Sequence, residues 1–162
     1  MNRRDFLSIR MAAIALWPVF SHTPFPQWKV YRQIHLFIAV NREDELACNI
    51  GRAIADTLAT ELPASRAMVT RARDGARLAS LISTQQLDLA LIHRSDLNAW
   101  RQREHPYEHI SPIPLQELFE TRSYVLVCRR DFRFDHAVLV RQTLESHTNL
   151  MNALGIESGE KL

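Results

Sequence analysis

Residues 34–40, 67–71 and 87–93 are short, mostly apolar runs, and between them lie two segments whose apolar residues recur every three or four positions. This strand–helix–strand–helix–strand order constrains the chain more than any other feature. Strands joined through helices run parallel, and right-handed crossovers lay the helices against the faces of the sheet. The first run, centred on Ile34-His-Leu-Phe-Ile-Ala-Val40 within residues 30–40, reads as a nearly fully buried strand. The polar break Asn41-Arg42-Glu43-Asp44 follows, with Asp44 placed to cap the next helix. Leu46, Ile50, Ala53, Ile54, Thr57, Leu58 and Leu62 then trace one apolar helix face, which stops before Pro63.

The pattern repeats. Residues 67–71 read as a second strand, Arg73-Asp74-Gly75-Ala76 as a turn, and Asp74 as the cap of a helix over 76–84 carrying Leu78, Leu81 and Ile82. Residues 87–93 form the third strand, and Ser95-Asp96 is the expected cap of a short helix over 97–103. Residues 103–114 hold three prolines and Tyr107 and read as a connecting loop, while 115–121 is a short apolar stretch that the residues assign to neither helix nor strand. Residues 123–129 are a further strand, and 137–151 has helical spacing through Val138, Val140, Arg141, Leu144, His147 and Leu150, closed by Gly155. The expected fold is α/β, a small mostly parallel sheet flanked by helices, in one domain over 27–155 with a polar tail over 156–162. No internal repeat or low-complexity segment interrupts it.

Composition sets outer bounds. A chain of 162 residues suits one domain. Hydrophobic residues at 46% against charged residues at 23% exclude a wholly disordered chain. Twenty basic and eighteen acidic residues give +2, too even for a dedicated nucleic-acid binder. Two cysteines can build neither a disulfide framework nor a four-cysteine zinc site. Cys48 and Cys128 are read either as one bridge in an oxidising compartment or as two separate buried thiols.

The N-terminus reads as an address. Arg3-Arg4-Asp5-Phe6-Leu7 has the twin-arginine export pattern, and residues 11–20 form an apolar run of signal-peptide length. That run is far short of the roughly 20 residues a membrane span needs. Arg10 before the run and the lack of an A-x-A site after it depart from the pattern. The expectation is an export segment over 1–26 carrying the rest to the periplasm, either cleaved near Ser21-His22 or kept as an uncleaved anchor. A buried N-terminal helix is the competing reading.

The segment from Leu36 to Asp96 resembles the first lobe of a type II periplasmic solute-binding protein, and among these it is most similar to the TAXI group of TRAP-transporter receptors. The residues that carry the resemblance are the strand 34–40, the helix Cys48-Asn-Ile-Gly-Arg-Ala-Ile-Ala-Asp-Thr-Leu, the turn Arg73-Asp74-Gly75-Ala76, and Gln86-Leu-Asp-Leu-Ala-Leu-Ile-His-Arg-Ser-Asp96. The strand 124–128 and the helix 137–151 are similar to later segments of such receptors. The resemblance implies an exported binding domain that receives a small organic acid or amino acid for a TRAP-type transporter. The departures are a missing second lobe, Asn41-Arg-Glu-Asp-Glu-Leu-Ala-Cys48 in place of the group's Gly- and Tyr-bearing turn, and Arg73-Asp74-Gly75-Ala76 in place of a Thr-Gly-Gly-Ser-like one.

In parallel α/β sheets ligands sit at the carboxyl ends of the strands. This selects Asn41, Arg42 and Asp44 after the first strand, Arg73 and Asp74 after the second, and His93, Ser95 and Asp96 after the third. Arg42 and Arg73 have the chemistry to hold a carboxylate by bidentate contact. The competing reading makes all eight residues caps and solvated turns. His93, Ser95 and Asp96 include the residue types of a nucleophilic triad, but no G-x-S-x-G elbow surrounds the serine, so no enzyme is expected. Pro106 argues against a helical metal face at His105 and His109, and neither metal nor cofactor is expected. The expected partners are a small anionic solute and membrane transporter subunits. A second class of function is a ligand-free module docking on a periplasmic or membrane-bound complex, with a homodimer as one way to rebuild the missing cleft.

Overall fold

The computed structural model describes residues 36–121 and 123–147. The described residues all belong to one compact unit, Ile34–Leu162. The export segment over 1–26, residues 30–35 of the first expected strand, the helix end at 148–151 with Gly155, and the tail over 156–162 lie outside the described residues.

The described elements run β1 (Phe37–Asn41), α1 (Glu45–Glu61), a 3-10 turn (Pro63–Ser65), β2 (Met68–Ala72), α2 (Gly75–Ser83), β3 (Leu89–His93), α3 (Arg94–Gln102), β4 (Leu115–Glu120), β5 (Tyr124–Arg129) and α4 (Phe134–Ser146). They build one five-stranded sheet of order β2-β1-β3-β5-β4. β1 pairs in parallel with β2 and β3, as the alternating pattern requires, whereas β5 runs antiparallel to both β3 and β4. The sheet is therefore mixed: a parallel core with an antiparallel hairpin on one side.

Each face has its own apolar layer. Leu36, Ile38, Val40, Leu89, Leu91, Leu126 and Cys128 pack with α1 and α4 through Ile50, Ile54, Leu58, Val140 and Leu144. The other face presents Ala39, Ala72 and Ala90 together with Ile92, Val125 and Val127, and it packs against α2 and α3 through Leu78, Ile82, Leu97 and Trp100. Burying a side chain such as Ile54 or Leu144, both 0% exposed, contributes about 1.5–3 kcal/mol. α1 lies so close to β1 that a Cβ at Gly51 would sit 2.6 Å from Val40 Cγ1. Glycine is required there by space.

Three elements depart from the sequence expectation, each for a local reason. Residues 115–120, within the apolar stretch assigned to neither helix nor strand, form β4, and a register shift between Glu117 and Phe119 breaks its two-residue alternation. The irregularity lets the consecutive residues Leu118 and Phe119 both reach the α1/α4 layer. The backbone oxygen of Glu117 accepts a hydrogen bond from Arg141 Nη2. α3 starts at Arg94 and not at Leu97, so Ser95 and Asp96 lie in its first turn and His93 is its cap. α4 begins at Phe134, three residues before the expected start, and ends at Ser146.

Both cysteines are buried and free. Cys48 Sγ donates to the backbone oxygen of Asn41 at 3.4 Å, and burial pushes the Cys128 thiol up to about 11.

Candidate functional site

The chain leaves β1 toward β2 on one side and later reaches β3 on the other, with α1 and α2 over opposite faces. Such a divergence opens a crevice at the carboxyl ends of the two strands, the usual ligand position in open α/β sheets. Asp44 follows β1 and His93 ends β3 at this place. The antiparallel β5 adds to it from the far side, because its first residue, Tyr124, pairs in register with His93.

Asp44 is the hub. One carboxylate oxygen, Oδ1, accepts from the backbone N–H of Ala47 at 2.9 Å and so caps α1. The other, Oδ2, accepts from the Tyr124 hydroxyl at 2.7 Å, a contact between residues 80 apart in sequence. The Tyr124 ring is buried and stands edge-on to the His93 imidazole, centroids 5.1 Å apart at 86°. His93 Nδ1 lies 2.6 Å from Ser95 Oγ and accepts the Ser95 backbone N–H at 3.3 Å. With Nδ1 accepting that N–H, the imidazole is assigned as the neutral tautomer carrying its proton on Nε2, and the Ser95 hydroxyl donates to Nδ1.

A second tyrosine closes the other half of the edge. Tyr107, from the proline-bearing loop, is buried, and its hydroxyl interacts with the Asp96 carboxylate. Asp74 caps α2 by accepting from the Arg77 backbone N–H at 2.7 Å, and its other oxygen takes the Arg73 guanidinium at 2.8 Å. The Arg77 N–H bond first, and then the bond from Arg73, hold the Asp74 carboxyl below the usual carboxylate range. The glycine between cap and helix leaves the space Tyr107 needs: a Cβ at Gly75 would lie 2.6 Å from the Tyr107 hydroxyl oxygen and 3.9 Å from Asp96 Oδ2. Gly75→Ala is therefore expected to push Tyr107 off Asp96, cost about 1–3 kcal/mol by overpacking, and return the Tyr107 titration toward its ordinary position. Urea unfolding and the tyrosinate absorbance read out the two effects.

Both phenols are held protonated. Burial foremost, then the charges of Asp96 and Asp74, pushes Tyr107 up to about 12. Burial and then the bond to Asp44 raise Tyr124 as well. A hydroxyl whose folded pKa lies above its unfolded value of about 10 gives stability that is complete below pH 10 and is lost as pH rises through the folded value. The expected result is a urea midpoint that is flat up to about pH 10 and falls steeply between about 10 and 12. Tyr107→Phe and Tyr124→Phe each make the fall shallower.

Seven of the eight residues selected from the sequence thus stand at one sheet edge in defined roles: Asp44 and Asp74 cap helices and receive a tyrosine and an arginine, His93 caps α3, Ser95 and Asp96 bind His93 and Tyr107, Arg73 pairs with Asp74, and Asn41 Oδ1 accepts the Glu43 N–H at 3.0 Å. The eighth, Arg42, ties β1 to β2 through its backbone N–H to the oxygen of Ala72 at 2.8 Å and has an exposed side chain. The expected arginine clamp is altered, because Arg73 is already engaged by Asp74. Tyr107 and Tyr124 were not selected from the sequence. Neither lies after a parallel strand, and only the folded register brings them to the edge.

α1, α2 and α3 all begin at this edge, so their N-terminal partial positive charges face it. The three aspartates already accept internal donors; the exposed groups at the edge include the Arg42 guanidinium, the His93 Nε2–H and the exposed face of Arg73, beside the carboxylates of Glu43 and Glu45. Among the described residues no three His, Cys, Asp or Glu side chains group as metal ligands, and no helix is long and apolar enough to cross a membrane. Two cavities lie at the opposite edge of the sheet. One, of about 370 Å³, is walled by the end of α1, the 3-10 turn and α4, and the other, of about 400 Å³, by Ser83, Gln85 and residues 129–131. Compared with protein-family models, curated proteins and solved structures, the chain has no match in any of the three.

Proposed function

We propose that the chain is a solute-binding lobe that takes a small organic acid or amino acid at the carboxyl edge between β1 and β3. It is exported to the periplasm and serves a TRAP-type membrane transporter. The observation that carries the reading is convergence: five separate segments, β1–α1, β2–α2, β3–α3, the Tyr107 loop and the start of β5, deliver polar side chains to the one edge where open α/β sheets bind ligands. The free donors and the three helix N-termini favour an anionic group on the ligand. The resemblance of residues 36–96 to a receptor lobe supplies the transporter and the compartment.

A second reading has its own support. Asp44, Asp74, Asp96 and Arg73 are already paired within the chain, and an edge without a facing lobe leaves a small ligand half solvated, whereas tight sites bury most of theirs. A ligand-free module docking on a larger complex fits those facts, and so does a homodimer that faces two edges together.

The test is a thermal-shift screen of the full chain against dicarboxylates, amino acids and small organic acids, with the mass in solution recorded alongside. A ligand at a hundredfold excess over its Kd adds about 2.7 kcal/mol. The solute-binding reading expects a shift that Arg42→Ala or Arg73→Ala abolishes. A folded chain with no shift across the panel turns the reading to the docking module.

A further inference from the structure

The two outer strands of the sheet differ. β4 is a closed edge: a register shift interrupts it between Glu117 and Phe119, and the Arg141 guanidinium donates to the Glu117 backbone oxygen. β2 is an open one. The Met68 N–H donates to the oxygen of Leu36 at 3.0 Å, and the Ala72 oxygen accepts from the Arg42 N–H at 2.8 Å. Residues 68, 70 and 72 therefore turn their backbone groups toward β1. The direction alternates along a strand, so Val69 and Arg71 turn theirs outward, and among the described residues no strand lies beyond them. The strand contains no proline, and Met68 and Arg71 are exposed. Such a row of unpaired donors and acceptors is a template for another strand.

The edge is complementary to itself in one register. In an antiparallel pair about a two-fold axis at Thr70, Val69 of one copy faces Arg71 of the other. Both are hydrogen-bonding positions, so the outward N–H and C=O groups of both residues are all used. Thr70 faces Thr70 across the axis, a favourable cross-strand pair. At each end the same register brings Arg66 of one copy opposite Asp74 of the other, whose side chain is 29% exposed. The neighbouring registers fail. An axis at Arg71 sets two guanidinium groups against each other. An axis at Val69 needs the Ala67 N–H, which already donates to Ser65 Oγ at 3.3 Å. We infer that the chain forms a two-fold dimer through β2, joining two five-stranded sheets into one continuous sheet. The strands run oppositely across the axis, so the two carboxyl edges lie at opposite ends and do not face each other.

The test is sedimentation of the full chain from about 1 to 300 μM, together with cysteine cross-linking. A short edge makes a small interface, so the expected result is a mass that rises from one chain to two with a micromolar Kd. Arg71→Pro removes an outward N–H, at a position where an edge strand tolerates proline, and should leave a folded single chain. Circular dichroism and the urea midpoint check the fold. Thr70→Cys should cross-link two chains readily, because its opposed Cα atoms lie about 4.5 Å apart, within disulfide reach. Arg71→Cys should not, because that register holds its two copies about 9 Å apart. Cys48 and Cys128 are buried and do not compete. If Arg71→Pro fails to fold, the cysteine pair decides. A chain that stays single up to 300 μM overturns the inference. So does a dimer that persists in folded Arg71→Pro, and so does cross-linking of Arg71→Cys in preference to Thr70→Cys.

Discussion

Replacing Trp100 with alanine is expected to lower the unfolding free energy by about 3–5 kcal/mol, measured as a drop in the urea midpoint at unchanged slope. Trp100 is 1% exposed and is the largest fully buried side chain among the described residues. It sits in the layer that the strands line with Ala39, Ala72, Ala90, Ile92, Val125 and Val127, and the short or stiff β-branched side chains there can fill only part of the vacated space. Against a total stability of about 5–15 kcal/mol, that loss takes the domain close to unfolding at ambient temperature. Trp100→Phe is expected to cost only a fraction as much. It keeps most of the apolar volume and removes the indole N–H, which is buried without a hydrogen-bond partner.

Asp44→Ala is expected to cost about 2–3 kcal/mol, from two sources. Losing the α1 cap costs about 0.5–2 kcal/mol. The rest comes from leaving the half-buried Tyr124 hydroxyl without its acceptor. Asp44→Asn keeps an oxygen for the Ala47 N–H and should therefore cost clearly less. A double-mutant cycle with Tyr124→Phe separates the two contributions: once the phenol is gone, Asp44→Ala should cost only the cap, and the difference is the coupling between β5 and the β1–α1 turn. Costs that simply add would show that Tyr124 and Asp44 do not act together.

What was legible in the sequence is what acts over short range. The Asp44 and Asp74 caps bond N–H groups three residues on, so residue type and spacing were enough to identify them. The three parallel strands followed from apolar runs separated by helical spacing. His93 escaped as a cap because imidazole lies outside the usual Ser, Thr, Asp and Asn set, and the more familiar Ser95 and Asp96 stood beside it. β4 escaped because a bulge removes the alternation by which strands are recognised. The tyrosines escaped for a different reason. Tyr124 reaches Asp44 only after β5 folds antiparallel onto β3 in one register, and Tyr107 reaches Asp96 only where glycine at position 75 leaves room. The carboxyl edge was therefore visible as a set of polar turns, and its cross-linking by two phenols was not.

The most direct test of the carboxyl edge as the binding surface is a ¹H–¹⁵N amide titration of the full chain with the acids and amino acids of the thermal screen. The expected result is saturable shifts confined to residues 41–47, 73–77 and 93–97 and to the start of β5, with the Arg42→Ala chain unresponsive. Shifts confined to residues 61–65, 129–131 and 136–140 at the opposite edge, or no shifts at millimolar ligand on a well-folded spectrum, would contradict it.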